Sequence, residues 1–182
     1  MNTMLDIVGA SLIGGIIFLI IMNLNIYSNE IKFASDINLK LQGNAGTIAE
    51  MLDSDLRKVG YNYTGTSILE ADSNKFSFYS DIDSSGTIST VTLTISDSTE
   101  SSYTTNPNNR VFYRIVNNDT SKGAAVDLDK LKFTYMNSLG AQTTVLDSIK
   151  YIKAEIWYES SAKVDSNYAK SYWEVTVNPR NI

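Results

Sequence analysis

"MNTMLDIVGASLIGGIIFLIIM", residues 1–22, places a single acid, Asp6, ahead of sixteen uncharged residues from Ile7 to Met22, with no lysine or arginine before it. A helix of sixteen residues at 1.5 Å per residue is about 24 Å long, short of the roughly 30 Å hydrocarbon core of a bilayer. Extension to Tyr27 reaches the span and takes in Asn23 and Asn25. A signal peptide needs a basic leading region and a small-residue cleavage site, neither of which stands here. An anchor with a cytoplasmic N-terminus calls for basic residues on that side, whereas the first one is Lys32, on the far flank. A helix that lies in a membrane only before assembly, after loss of a short basic leader, accommodates both features.

A carboxylate inside an apolar helix is costly unless a cation meets it. If such helices bundle with a small axial stagger, the free α-amino group of one subunit can reach Asp6 of the next. The other reading is local, with Asp6 favouring the positive end of its own helix. Gly9, Ala10, Ser11, Gly14 and Gly15 are small residues at spacings that allow close helix approach.

Beyond Tyr27 the apolar positions Ile31, Ala34, Ile37, Leu41, Ala45, Ile48, Leu52, Leu56 and Val59 recur at steps of three or four, one continuous stripe. Arg57 and Lys58 in a last turn, followed by Gly60, are stop signals. Gly43 and Gly46 each cost about 1 kcal/mol against alanine and mark a place for a bend or local melting. After Gly60 the period falls to two. Residues 75–82, 87–96, 110–116, 130–136 and 172–177 alternate and are rich in Val, Ile, Thr, Phe and Tyr, with "DSSG", "NPNN", "NNDTSKG" and "NSLG" as turns. Residues 146–160 suit either period and are read as a short turn or helix leading into a strand from about Ile152. The expected class is α+β: a long N-terminal α-helix, apolar then amphipathic, packed on an antiparallel β-sheet. Its segments are 1–27, an apolar assembly or transmembrane helix; 28–60, the amphipathic half of the same helix; and 61–182, a globular β domain.

The chain has 182 residues, a formal charge of −5, no cysteine and no histidine. Thiol and imidazole chemistry, disulfides and the usual zinc ligands are thereby excluded. The scattered basic residues form no patch for nucleic acid. A surface dominated by Ser, Thr, Asn and Tyr from Tyr61 onward suits an extracytoplasmic location. No nucleotide loop or catalytic triad stands in the sequence, and the expectation is that the protein is not an enzyme. The acids Asp147, Glu155, Glu159, Asp165 and Glu174 read as solvated surface, and the aromatics from Tyr151 to Trp173 as core and sheet packing.

Two further stretches carry local readings. "DIDSSGTISTVT", residues 81–92, sets Asp81, Asp83 and Ser85 at the offsets of the first half of a calcium loop, but Thr92 stands where a bidentate glutamate belongs. A hairpin turn without cofactor competes with calcium there. "DSTESSYTTNPNN", residues 97–109, is expected to be an exposed surface loop, with Ser98, Tyr103 and Asn106 at its surface.

The apolar start with an acid near position five, "LDSDLRKVGYN" (52–62), "FSFYSDIDSSGTIST" (76–90) and the closing "VTVNPRNI" (175–182) together resemble the type IV pilins. Within that family the chain is most similar to the minor pilins and the J-type pseudopilin of type II secretion. The family's position-five glutamate is matched by Asp6, which is position five of a chain starting at Asn2. The resemblance implies a filament subunit, with partners that are copies of itself or other pilins and an inner-membrane assembly platform with its motor. It also implies residence in the membrane before assembly, and in a periplasmic or extracellular fibre afterwards. A pseudopilin of a type II secretion system and a monomeric, membrane-anchored binding domain are the alternatives.

Overall fold

The computed structural model describes residues 3–101, 104–117, 119–122 and 127–182. Helix α1 (Thr3–Arg57) is followed by eight strands: β1 (Ile68–Ala71), β2 (Lys75–Ser80), β3 (Ser89–Ile95), β4 (Phe112–Val116), β5 (Asp119–Lys122), β6 (Leu128–Met136), β7 (Tyr151–Val164) and β8 (Asn167–Val177). The class is α+β, with the long N-terminal helix packed on antiparallel sheets. The chain divides into two compact units after Ile37. The first is helical throughout its described residues; the second joins the rest of α1 to the strands.

Within the second unit the stripe of α1 is buried from Leu41 through Ala45, Ile48, Leu52 and Leu56 to Val59 just past the helix. These spacings keep one face of a 3.6-residue helix turned to the core. Helix α1 runs on through Gly43 and Gly46. At its far end Gly60 has φ +73°, and a Cβ there would lie 2.5 Å from both the Asn181 carbonyl oxygen and Ser67 Oγ. Glycine is required on both counts.

The strands form two sheets rather than one. β1 to β5 make a five-stranded antiparallel meander in chain order, and β6, β7 and β8 a three-stranded one. Alternate residues face the core: Phe76 and Phe78 from β2, Val91 and Leu93 from β3, Phe133 and Tyr135 from β6, Ile152, Ala154, Ile156 and Tyr158 from β7. Phe76 brings the sheets together, its ring centroid 5.8 Å from that of Phe133 and 5.5 Å from that of Tyr135. Two backbone bonds reinforce the seam: Phe133 N–H donates to the Ser73 carbonyl and Arg110 N–H to that of Leu128, each at 2.7 Å.

Two elements lie outside the strands that periodicity predicts, one of them, β5, within a predicted turn. β1 has four residues, and β5, "DTSK", has no apolar residue. Each exists because a neighbouring strand offers it a hydrogen-bonding edge, β2 to β1 and β4 to β5. In the ambiguous 146–160 stretch, a 3₁₀ turn at Leu146–Ser148 precedes β7 at Tyr151, as read.

Candidate functional site

The first unit presents apolar surface nearly throughout. Ile7, Leu12, Ile16, Phe18, Ile20 and Leu24 are each at least half exposed. By length and composition α1 can cross a membrane. Two of its polar side chains are satisfied locally: Ser11 Oγ donates to the Val8 carbonyl at 2.9 Å and Asn25 Nδ2 to the Ile21 carbonyl at 3.1 Å. Such back-bonding removes most of the cost of placing these groups in a medium without water.

Asp6 is exposed in the first turn of α1 and makes no ion pair among the described residues. Residues four apart form a ridge on a helix, so Asp6, Ala10 and Gly14 share one ridge and Ser11 and Gly15 lie on the next. Gly9, three residues from Asp6, borders the acid on its other side. A Cβ at Gly9, Gly14 or Gly15 would meet nothing within 4 Å. Each helical glycine nevertheless costs about 1 kcal/mol against alanine. The helix thus carries small residues for which its own fold has no use, next to an unpaired acid on an uncovered apolar surface. The α-amino group expected opposite Asp6 belongs to residues outside those described.

The 97–109 stretch departs from expectation at Asn106. Ser98 opens a 3₁₀ turn (Ser98–Ser101) and is half-buried, Tyr103 lies outside the described residues, and Asn106 is buried at 1% exposure. Asn106 Nδ2 donates to Glu159 Oε2 at 3.2 Å and to the Ser160 carbonyl at 3.1 Å, while its Oδ1 accepts Asn108 N–H at 2.9 Å. The amide turns inward because the buried carboxylate of Glu159 on β7 needs donors. Asn108 Nδ2 supplies another at 3.0 Å and Lys170 Nζ approaches Oε1 at 2.6 Å. The "NPNN" signature marks a turn correctly but says nothing of which way its side chains point.

Lys170 first, then Asn108 and Asn106, hold the Glu159 carboxyl below its ordinary range. A depressed acid contributes stability above its unfolded pKa, about 4.3, and loses it as pH falls through the folded value. Asp129 nearby is raised by burial and by Glu159, and works with the opposite sign. Glu159→Gln is expected to melt below the native protein at pH 7, with the gap closing in acid below about pH 4. Melting curves across that range check this; a gap independent of pH would refute it.

Residues 81–88 connect β2 to β3, whose ladder starts at Ser80↔Ser89. Asp81 is fully buried, and its Oδ2 accepts Gly86 N–H at 3.0 Å and Asn62 Nδ2 at 2.9 Å. Asp83 Oδ1 accepts Ser85 N–H at 3.2 Å, and Ser85 Oγ accepts Thr87 N–H at 3.3 Å. Asn62, just past the helix, was not legible as part of this cluster. Among the described residues no three His, Cys, Asp or Glu side chains gather to share a metal ion.

On the outer face of β7 and β8, Lys153 Nζ lies 3.3 Å from Glu155 and 3.1 Å from Glu174, and the Tyr172 hydroxyl donates to both acids. Trp157 packs on Tyr172, ring centroids 5.2 Å apart. A bidentate ion pair that periodicity did not reveal joins Arg114 on β4 to Asp55 on α1.

Comparison with known proteins finds no matching family model, no matching curated protein and no matching solved structure.

Proposed function

We propose that this chain is a structural subunit of a type IV pilus-like filament, held by residues 1–27 in the inner membrane before assembly and bundled through them with its own copies or other pilins afterwards. The carrying observation is the uncovered apolar surface of the first unit, with Asp6, Ala10 and Gly14 on one ridge. In water such a surface is untenable, because each fully exposed large aliphatic side chain forgoes about 1.5–3 kcal/mol of burial. Lipid covers it in one state; like helices cover it in the other. The helix glycines support the second, since lipid does not need a notch and a neighbouring helix uses one. The second unit, with its own core and a polar exterior, is the part that faces outward along the fibre.

The test is made on cells. Fibres sheared from the surface, or collected from the periplasm, are expected to contain this chain and to vanish when its coding sequence is deleted. Mass spectrometry of the fibre subunit is expected to find a processed N-terminus within a few residues of Asp6. Recovery of the chain only as a single copy in the membrane fraction, with fibres unaffected by the deletion, overturns the reading.

A further inference from the structure

The β2–β3 connection contains a polar atom that the fold leaves unanswered. Asp81 is 0% exposed, and while its Oδ2 holds two donors, its Oδ1 is buried with no hydrogen-bond partner. A buried acceptor left unpaired costs roughly 1–3 kcal/mol, and more when it carries charge. The second acid of the turn, Asp83, stands two residues on and gives its Oδ1 to the Ser85 amide at 3.2 Å.

The backbone of this turn is shaped like a cation loop. In the sequence "DIDSSGT", residues 81–87, oxygen-bearing side chains stand at the first, third and fifth positions, glycine at the sixth and a backbone carbonyl at the seventh, as in a calcium loop. The side-chain hydrogen bonds of Asp81, Asp83 and Ser85 to the amides of Gly86, Ser85 and Thr87 curl the chain so that each acid spends one oxygen on the turn. Gly86 takes the positive φ, +85°, that this reversal requires. Asp81 Oδ1 is then the oxygen left over at the first position, and it is the one without a partner.

We propose that the β2–β3 turn binds a calcium ion through Asp81 Oδ1, the Asp83 carboxylate, the Ser85 hydroxyl and the Thr87 carbonyl, with water completing the shell. The bidentate acid at position twelve is missing, and Thr92 there is bonded instead to Ser77 across the sheet at 2.9 Å. Two carboxylates without it place the affinity in the range of extracellular modules, about 10⁻⁴–10⁻³ M. The small size and strict octahedral demand of magnesium suit this curled set poorly. A cation also reaches the turn, for Lys58 Nζ, just past α1, donates to the Ile82 carbonyl at 2.6 Å. Lys58 and Asn62 flank the end of the core-facing stripe at Val59, so the ion fastens the hairpin to the helix exit and stabilises the second unit. This inference does not rest on the filament reading.

The experiment uses the full chain in detergent micelles, stripped with chelator, melted at increasing calcium chloride up to about 10 mM. The expected result is a melting temperature that climbs with calcium, half-complete at about 10⁻⁴–10⁻³ M, and a response to magnesium at least tenfold weaker. Terbium alone, excited through tyrosines such as Tyr61, whose carbonyl accepts Asp81 N–H, is expected to luminesce and to be displaced by calcium. Asp83→Asn is expected to melt near the native metal-free temperature and to lose at least tenfold in calcium response. Asp81 is unsuitable as the test position because its Oδ2 holds the turn. Melting indifferent to calcium overturns the proposal. It falls equally if Asp83→Asn and the native chain respond alike, since the ion then sits elsewhere on an acidic surface.

Discussion

Asp6→Ala is expected to insert in the membrane and fold as the native chain does, yet to enter fibres at roughly one hundredth of the native yield or less. The first unit is helical with or without the acid, because alanine is the better helix former. On the proposed filament reading, what changes is the assembled state, in which a desolvated carboxylate meets a neighbour's cation. Loss of one member of such a pair costs about 3–5 kcal/mol, and 1.4 kcal/mol is tenfold in association. The second unit does not include residue 6, so its melting is expected to be unchanged, which separates failed assembly from failed folding. Asp6→Glu is expected to restore much of the yield. If Asp6→Ala chains form fibres normally, the acid serves only the positive end of its own helix, an effect of about 0.3–1 kcal/mol.

Asp55→Ala is expected to destabilise the second unit by about 3 kcal/mol. Arg114 Nε and Nη2 reach the two carboxylate oxygens at 2.6 and 3.1 Å. The Asp55 side chain is 6% exposed and that of Arg114 22%. Removal of the acid leaves a guanidinium beneath the helix with its best partner gone, and the figure is set at the low end for a buried pair because Arg114 retains some access to water. For a domain of this size the shift is roughly 6–12 °C in melting temperature. Arg114→Met is expected to be at least as damaging, since the stranded carboxylate is the deeper group. The pair Asp55→Leu with Arg114→Met is expected to recover most of the loss, because an apolar replacement removes both desolvation costs together. Calorimetry of the four proteins checks this; a single-variant loss under about 1 kcal/mol would show that the pair is spectator to the packing.

Helix α1 was legible because its signal is local. Leu41 to Val59 recur at helical spacing, and the same residues are buried. Ile31 belongs to the same stripe by spacing but is 52% exposed, for periodicity records that a face is apolar and not what covers it. The division of the strands into two sheets was not legible, since it depends on which edges meet over long separations, such as Arg110 with Leu128. β5 escaped because "DTSK" owes its extended form to β4 and not to its own side chains. Asn106 shows the same limit in a loop: the polar composition that argues for exposure also satisfies a buried carboxylate. The Asp81 turn was legible as a spacing. That one of its oxygens is buried and unpaired follows only from the fold, as does the contribution of Asn62 from a different element.

The meeting of Gly60 with the Asn181 carbonyl sets an order of events during synthesis. Val177 and Ile182 join the same core that α1 starts to build at Leu41, so the cavity around the helix cannot close until residues near 181 have left the ribosome. Late, sequence-distant closure makes for slow folding. Through that interval the apolar face of α1 has no sheet over it, and whatever shields it until the last strand arrives decides whether the chain folds or sticks to its neighbours.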